Sequence, residues 1–465
     1  MIKIAKFEYE TAKELIMYAK EAEGKYLYEI DKKDMLDNSN VKGSVGHIIE
    51  ASYFGYDINS NAEPDFADVG IELKATGIQK MKNGSLKAKE RLVLNIINYF
   101  DEATADFKSS SFWKKNKHLL LFFYEYQKDE NNKFDRRNAQ IIKVEDFQFP
   151  EEDLETIKQD WNIIHNKIIN GEAHLLSEGD TLILGACTKG STAAKSLRQQ
   201  PYNDVLAKQR AYSIKQGYMS NLVRKLITKE HFEAITTAKE VNEKSIDQIL
   251  HNKFKDYYGK TDSQIAEILN VSLSNGKNRI AQLVSNMLGV KKNDLSKIEE
   301  FEKYSIKFKT ITLNNKGKLK EHMSFENIDF DEYATSEWDD SHLKMMFEST
   351  KWLFVVFKED DKRNNIFLGY KLWNMPMTDI EGPLQEFFMK TQRILNEGVI
   401  LTHTSRGVNN NLPGAKDNPI CHIRPKARNA EDKVKLPDKQ CITKQCFWLN
   451  KEYLSNLFSI NFNDS

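Results

Sequence analysis

Cysteine is scarce: Cys187, Cys421, Cys441 and Cys446 are the only four in 465 residues, with no C-x-x-C pairing and no histidine at metal-ligand spacing. That excludes a disulfide framework and a zinc site, and leaves reduced, mostly buried thiols. Proline is also rare, at nine, beside abundant lysine and asparagine, a usage that fits a bacterial-type cytoplasmic protein. No apolar run approaches the length that spans a bilayer, and the opening "MIKIAKFEYETAKELI" lacks the apolar core of a signal peptide. Nor is there an excess of charge of either sign, since 68 basic and 68 acidic residues cancel. That balance argues against a simple polybasic nucleic-acid binder and leaves room for a local basic cleft. What is present is length, too much for one ordinary core, so two or three domains are expected.

Periodicity and punctuation give the organisation. "VKGSVGHIIEASYFG" reads as a helix stopped by Gly55. "IELKATGIQKM" and "RLVLNIINYF" read as strands joined by a basic turn whose Asn-Gly signals a hairpin, and "KHLLLFFYEY" as a central strand. "PEEDLETIKQDWNIIHNKIING" is a helix with acidic residues in its first turn and Gly171 at its end. This mixture predicts an α/β (α+β mixed) domain over 1–225, followed by a polar helical linker at 226–260. A second domain over 261–465 then repeats the first. "KHLLLFFYEY" is echoed by "KWLFVVFKED", "IINGEAHLL" by "ILNEGVILT" and "YMSNLV" by "YLSNLF", in the same order and at comparable spacing.

The chemistry concentrates in "PDFADVGIELKAT", Pro64 to Thr76. As a strand it points Ile71, Leu73 and Ala75 to one face and Glu72 and Lys74 to the other. A lone E-x-K of this kind is an ordinary ion pair on a solvated face. With Asp65 just upstream, however, the spacing fits the P-D…(D/E)-x-K nuclease pattern. There, carboxylate oxygens hold a hard divalent cation and the lysine orients or deprotonates water.

"KGSVGHIIE" followed by "EPDFADVGIELKAT" resembles the MutH family, the GATC-directed endonucleases of mismatch repair and their restriction-enzyme relatives. Length and the segments "KERLVLNIINY", "ACTKG" and "AKQRAYSIKQGYM" are most similar to its two-domain, Sau-type type II restriction endonucleases. The resemblance implies a restriction-endonuclease-like PD-(D/E)xK fold in two tandem copies, Mg²⁺ dependence, and cutting of both strands on the 5′ side of G in GATC. It places the family's catalytic residues on Glu50, Asp65, Glu72, Lys74 and Lys115, with Lys114 and Lys117 as register alternatives to the last, and makes Asp65, Glu72 and Glu50 metal ligands. Its DNA-reading lysine falls on Lys189, and its aromatic position on Tyr212 or Ser213. Arg210, Lys195, Arg198 and Lys215 are candidate phosphate contacts.

Carried into the second copy, the register sets Ser285 on Glu50, Glu300 on Asp65, Lys307 on Glu72, Lys309 on Lys74 and Ser349 on Lys115. A lysine at a metal-ligand position repels a cation, so this copy should not hydrolyse DNA. Its late loop, "CHIRPKARN", keeps Arg424 and Lys426 in the family's DNA-reading pattern, and "CFWLN" supplies Phe447 and Trp448. The expected role is an effector domain that binds a second GATC duplex, in a chain that is monomeric without DNA and dimeric or looped on it. The competing readings are a repair nickase, a catalytically silent GATC-binding regulator, and a metal hydrolase of small phosphates.

Overall fold

The structure, a computed structural model, describes residues 6–458 apart from 38–44, 59–60, 82, 131–133, 190–195, 238–239, 241–242, 275, 277, 291–294 and 406. The chain forms two compact units, one of Met1–Glu243 with Lys297–Ser305, the other of Lys244–Ser296 with Ile306–Ser465. This differs from the expected boundaries at 225 and 260. The polar stretch 226–260 is divided between the units, and apolar residues on both sides of the division are buried: Phe232 and Ile235 in the first, Ile246, Ile249, Leu250 and Phe254 in the second.

The first unit also holds the short helix Glu299–Lys303. The Lys303 ammonium bonds Asp153 Oδ1 and Glu299 Oε1, each at 2.9 Å, and Lys225 meets Glu299 at 2.6 Å. Arg224 pairs with Glu302. Glu300 accepts the backbone N–H groups of Ile235 (3.1 Å) and Thr236 (3.2 Å). Gly217, in helix Gln216–Val223, lets this helix approach, since a Cβ there would collide with the Glu302 carbonyl.

Among the described residues, nine strands make the sheets of the first unit: β1 (Glu72–Lys80), β2 (Leu86–Ala88), β3 (Leu92–Ile96), β4 (His118–Glu125), β5 (Ile141–Gln148), β6 (Leu184–Thr188), β7 (Leu197–Gln200), β8 (Asn203–Lys208) and β9 (Arg210–Ile214). One sheet has the order β2-β1-β4-β5, with β1 and β4 parallel, and another is the antiparallel set β3-β9-β6. β4 is central and almost wholly buried, as its continuous apolar run requires. The expected hairpin exists, but it joins β1 to β2. "RLVLNIINYF" becomes β3 in the other sheet, since β2 ends at Ala88 after three paired residues.

The second unit repeats the plan with β10 (Ile306–Leu313), β11 (Met323–Asn327), β12 (Lys351–Glu359), β13 (Asn365–Trp373), β14 (Leu401–Thr404), β15 (Gly407–Asn410), β16 (Cys421–Pro425), β17 (Lys433–Lys435), β18 (Cys441–Thr443) and β19 (Gln445–Leu449). Its sheets β10-β12-β13 and β11-β19-β16 match β1-β4-β5 and β3-β9-β6 in order and direction. Even the irregularities recur. β4 slips against β5 between Phe123 and Tyr124, and β12 against β13 between Val356 and Phe357. β3 slips between Val93 and Ile96, and β11 between Ser324 and Asn327. These slips fix the equivalences: Glu72 lies beside Leu119 and Lys307 beside Trp352. Trp352 thus answers Leu119, one residue from the alignment that the strand echo suggests. By straight count the counterpart of Lys115 is then Glu348, not Ser349. Among the described residues no helix is long and apolar enough to cross a membrane.

Candidate active site

Pro64 and Asp65 lead into a tight loop that brings the aspartate back onto β1. Phe66 and Ile71 exchange backbone hydrogen bonds of 2.9 and 3.2 Å around a 3₁₀ turn at Ala67–Val69, and Gly70 closes it in the left-handed region (φ +68°). Asp65 Oδ2 then accepts the N–H of Leu73 at 3.0 Å, while Glu72 Oε2 accepts the N–H of Asp65 at 3.0 Å. Two carboxylates seven residues apart are thereby interlocked.

Lys74 and Lys115 meet on the other oxygen of Glu72. The Lys74 ammonium donates to Glu72 Oε1 at 2.5 Å, and that of Lys115 lies 3.7 Å from the same atom while donating to the Asn61 carbonyl at 2.7 Å. Lys115 sits in the last turn of helix Ser111–Asn116, whose first turn is capped by Ser110 Oγ. Lys114 and Lys117 are exposed.

Glu50 arrives from a helix that changes character. Val45–Ile48 is α-helical, Ile49–Tyr53 is a π turn, and Gly55 (φ +78°) follows the end. The residue is 8% exposed, and its Oε1 is buried with no hydrogen-bond partner among the described residues. Burial, then the charges of Asp65 and Glu72, push it up to about 7, against the pull of Lys74 and Lys115. Glu72 is likewise raised by burial, with Lys74 opposing and Asp65 adding to the shift. The structure thus brings Glu50, Asp65, Glu72, Lys74 and Lys115 together.

Among the described residues no three His, Cys, Asp or Glu side chains stand as a ready-made metal cage. The donor set nevertheless fits a hard divalent cation. It consists of oxygens only, one buried carboxylate oxygen lacks a partner, and the carboxylates repel one another in a way that a cation relieves. The Lys74 ammonium and the Leu73 amide also bond these carboxylate oxygens.

The residues assigned to DNA recognition are not all presented to solvent. Lys189 is half-buried just beyond β6, with its N–H on the Gln209 carbonyl at 2.8 Å. The start of β6 is held by Asp160, buried in helix Glu151–Ile169, which accepts the N–H groups of Leu182, Ile183 and Leu184 at 2.6–2.9 Å. Arg198 is exposed. Lys195 lies outside the described residues.

Arg210, Tyr212 and Ser213, by contrast, are enclosed in β9, the central strand of its sheet. Arg210 Nη1 donates to the Ala186 carbonyl (2.9 Å), Tyr212 Oη to Glu102 Oε2 (3.0 Å) and Ser213 Oγ to Glu178 Oε1 (2.9 Å). Lys215 is buried as well, its ammonium on the Thr181 carbonyl. Side chains so engaged offer no face to a groove in this conformation. Their partners, Glu102 and Glu178, went unnoticed in the sequence. They are 110 and 35 residues away from the groups they hold, and nothing local marks them.

In the second unit the positions of Glu72 and Lys74 both carry lysine. Lys307 bonds Glu326 Oε1 at 2.6 Å, and Lys309 bonds the Ser324 carbonyl at 2.9 Å. Ser285 Oγ donates to Ala281 O; Ser349 Oγ, the counterpart of Lys115 by the strand echo, donates to Met345 O; and Glu348, its counterpart by the sheet register, is buried 4.0 Å from the Lys344 ammonium. Glu300, the expected counterpart of Asp65, is committed to Ile235 and Thr236 in the first unit. At the other sheet the register aligns Lys426 with Lys189 and Trp448 with Ser213. There Arg424 is exposed, its guanidinium 5.5 Å from the centre of the Trp448 ring, and Trp448 Nε1 donates to the Arg424 carbonyl at 3.2 Å.

Comparison with known proteins shows the family. The MutH family profile, described as DNA mismatch repair enzyme MutH, matches residues 54–160 and, separately, 288–383. The type II restriction enzyme Sau3AI of Staphylococcus aureus is 39% identical over 475 aligned positions, covering 94% of this chain and 96% of that protein.

Proposed function

Because the chain belongs to the MutH family and, within it, to the type II restriction endonucleases, we propose that it cuts double-stranded DNA at 5′-GATC-3′, on the 5′ side of G, using Mg²⁺. We further propose that the second unit binds another GATC duplex as an allosteric effector. The observation that carries the reading is the convergence of Glu50, Asp65, Glu72, Lys74 and Lys115 at the start of β1.

Asp65, Glu72 and Glu50 are the residues that would hold the cation. When bound, it supplies an acidified water and charge stabilisation at phosphorus and at the leaving oxygen. Lys74, fixed by Glu72, is placed to donate a hydrogen bond to the attacking water or to a non-bridging phosphate oxygen. Lys115, anchored on Asn61, steadies Glu72 from a second direction. Glu50 must give up its proton before it can act as a ligand, which ties metal affinity to pH.

Lys189 is the base-reading candidate of the first unit, as a donor to guanine. Arg210, Tyr212 and Ser213 could serve only after β9 is uncovered. Support for the effector role is that the same sheet register turns Arg424 and Lys426 outward in a unit whose β1 counterpart has lost its carboxylate. Cutting of two strands by one active site then proceeds through a dimer or a looped complex formed on DNA by a chain that is monomeric without it.

The test is plasmid cleavage with Mg²⁺, wild type beside Asp65→Ala, on adenine-methylated and unmethylated GATC substrates with one or two sites, and with the ends sequenced. The expected result is cuts 5′ of GATC that vanish in the variant and are faster with two sites. Tight GATC binding without cleavage by the wild type would sink the endonuclease reading.

A further inference from the structure

Where β11 slips against β19, two ammonium groups settle on successive carbonyls. Lys309 of β10 donates to Ser324 O at 2.9 Å, and Lys426, just beyond β16, donates to Phe325 O at 3.1 Å. Lys309 also lies 5.2 Å from the Phe325 ring centre. Glu326, the carboxylate whose charge acts on Lys309, is already engaged by Lys307 (2.6 Å) and His342 (3.2 Å). Among the described residues neither Lys309 nor Lys426 has an ion-pair partner.

Two cations held only by neutral acceptors repel each other. Burial, with Lys426 and Lys307, brings the Lys309 ammonium down to about 8. Each ammonium has three N–H donors, and the carbonyl uses one of them. An anion presenting several oxygens satisfies the remaining donors and removes the repulsion at once. A metal does neither.

We propose that Lys309 and Lys426 form a phosphate oxyanion site in the second unit, occupied by a phosphodiester of the effector duplex. The site stands where the first unit has its catalytic lysine and its base-reading lysine, since Lys309 answers Lys74 and Lys426 answers Lys189. The proposal rests on the effector reading of this unit. Free phosphate shares the chemistry and is the alternative source.

The experiment uses the full chain carrying Asp65→Ala, so that DNA is bound and not consumed, with and without Lys309→Met plus Lys426→Met. Each protein is titrated by calorimetry over a range of salt with a short duplex containing one GATC and with a matched duplex lacking it. In parallel, ε-¹³C-lysine resonances of the Asp65→Ala chain, with the Lys309 signal assigned by its loss in Lys309→Met, are followed against inorganic phosphate.

The expected outcome is two GATC duplexes per parent chain. In the lysine variant the second duplex binds more weakly, by the same factor for both sequences, with the log–log salt slope reduced by about one per lysine removed. Two duplexes with an unchanged slope would overturn the site while leaving the effector reading intact. Weakening confined to the GATC duplex would also overturn it, since base reading rather than phosphate binding would then be lost. If the parent binds one duplex only, the effector reading fails. The phosphate titration then decides: movement of the Lys309 signal at millimolar phosphate supports an oxyanion site for free phosphate, and a stationary signal rejects it. That measurement uses the parent chain, with the single Lys309→Met variant for assignment only, so it decides the matter even where the double lysine variant fails to fold.

Discussion

Strand for strand, the two units pair in one register: Glu72 beside Leu119 in the first, Lys307 beside Trp352 in the second, with slips at equivalent places in both sheets. On that common frame one unit gathers three carboxylates and two lysines, and the other gathers lysines without a carboxylate to spare. The helix leading in differs as well. Counted to the left-handed glycines Gly55 and Gly289, "KGSVGHIIEASYFG" is one residue longer than "KNRIAQLVSNMLG". The first becomes a π turn that carries Glu50 into the site, while the second stays α-helical at Arg279–Met287. Backbone pairing outlasts chemistry because it rests on many buried apolar contacts, whereas the chemistry hangs on a few side chains whose sign can change.

The largest expected effect makes the first unit imitate the second. Glu72→Lys should lower cleavage by at least about 10³-fold, the order associated with losing a central electrostatic stabiliser. The reverse change, Lys307→Glu, measured in the Asp65→Ala background, should restore nothing, because Glu300 remains bound to Ile235 and Thr236. Cleavage regained there would show the two sites to be more alike than their ligands suggest.

Next is a residue whose place in the sequence and place in space disagree. Lys303→Met leaves Asp153 and Glu299 without their buried partner and should destabilise the first unit by about 3–5 kcal/mol. Urea unfolding followed by loss of nuclease activity is the measurement. An unchanged midpoint would return the helix Glu299–Lys303 to the second unit.

Somewhat smaller is a pH effect without metal. The Glu50 carboxyl holds its proton up to about pH 7 in the folded chain, against an ordinary value of 4.5. Between those limits the unfolded chain binds fewer protons, so stability falls as pH rises through the window, by up to about 3 kcal/mol. Glu50→Gln should make that slope shallower in denaturant titrations at a series of pH values, leaving the part due to Glu72 and Asp160, which burial also raises. The second unit has no matching carboxyl and should show no such slope. At the low end, Trp448→Ser, which copies Ser213 into the second unit, should cost about 1 kcal/mol of effector-duplex affinity through the lost Arg424 contact. Fluorescence titration of the Asp65→Ala chain would detect it, and equal affinities would remove Trp448 from the interface.

The clustering of the candidate site was legible in the sequence because it is nearly local. Asp65, Glu72 and Lys74 lie within ten residues, and period-two alternation already sets Glu72 and Lys74 on one face. The repeat was legible through its strands, to within one residue at β12. What stayed hidden is long-range. "RAYSI" shows alternating polarity, yet its polar groups meet Glu102 and Glu178 inside the protein. Likewise, "EEFEK" reads as part of the second copy and is claimed by partners as far away as Asp153, 150 residues earlier. No single-sequence pattern encodes who answers a buried charge from so far along the chain.

That borrowed helix changes what a cut in the polypeptide would mean. A protease that nicks the chain anywhere between 244 and 296 severs the sequence upstream of Lys297–Ser305, a segment built into the first unit. The downstream fragment thus keeps a piece of the upstream fold, with Gly217, Arg224 and Asp153 still gripping it. The two fragments should migrate together on a sizing column under native conditions and part only in denaturant. For this protein, a broken backbone is not a separated pair of domains.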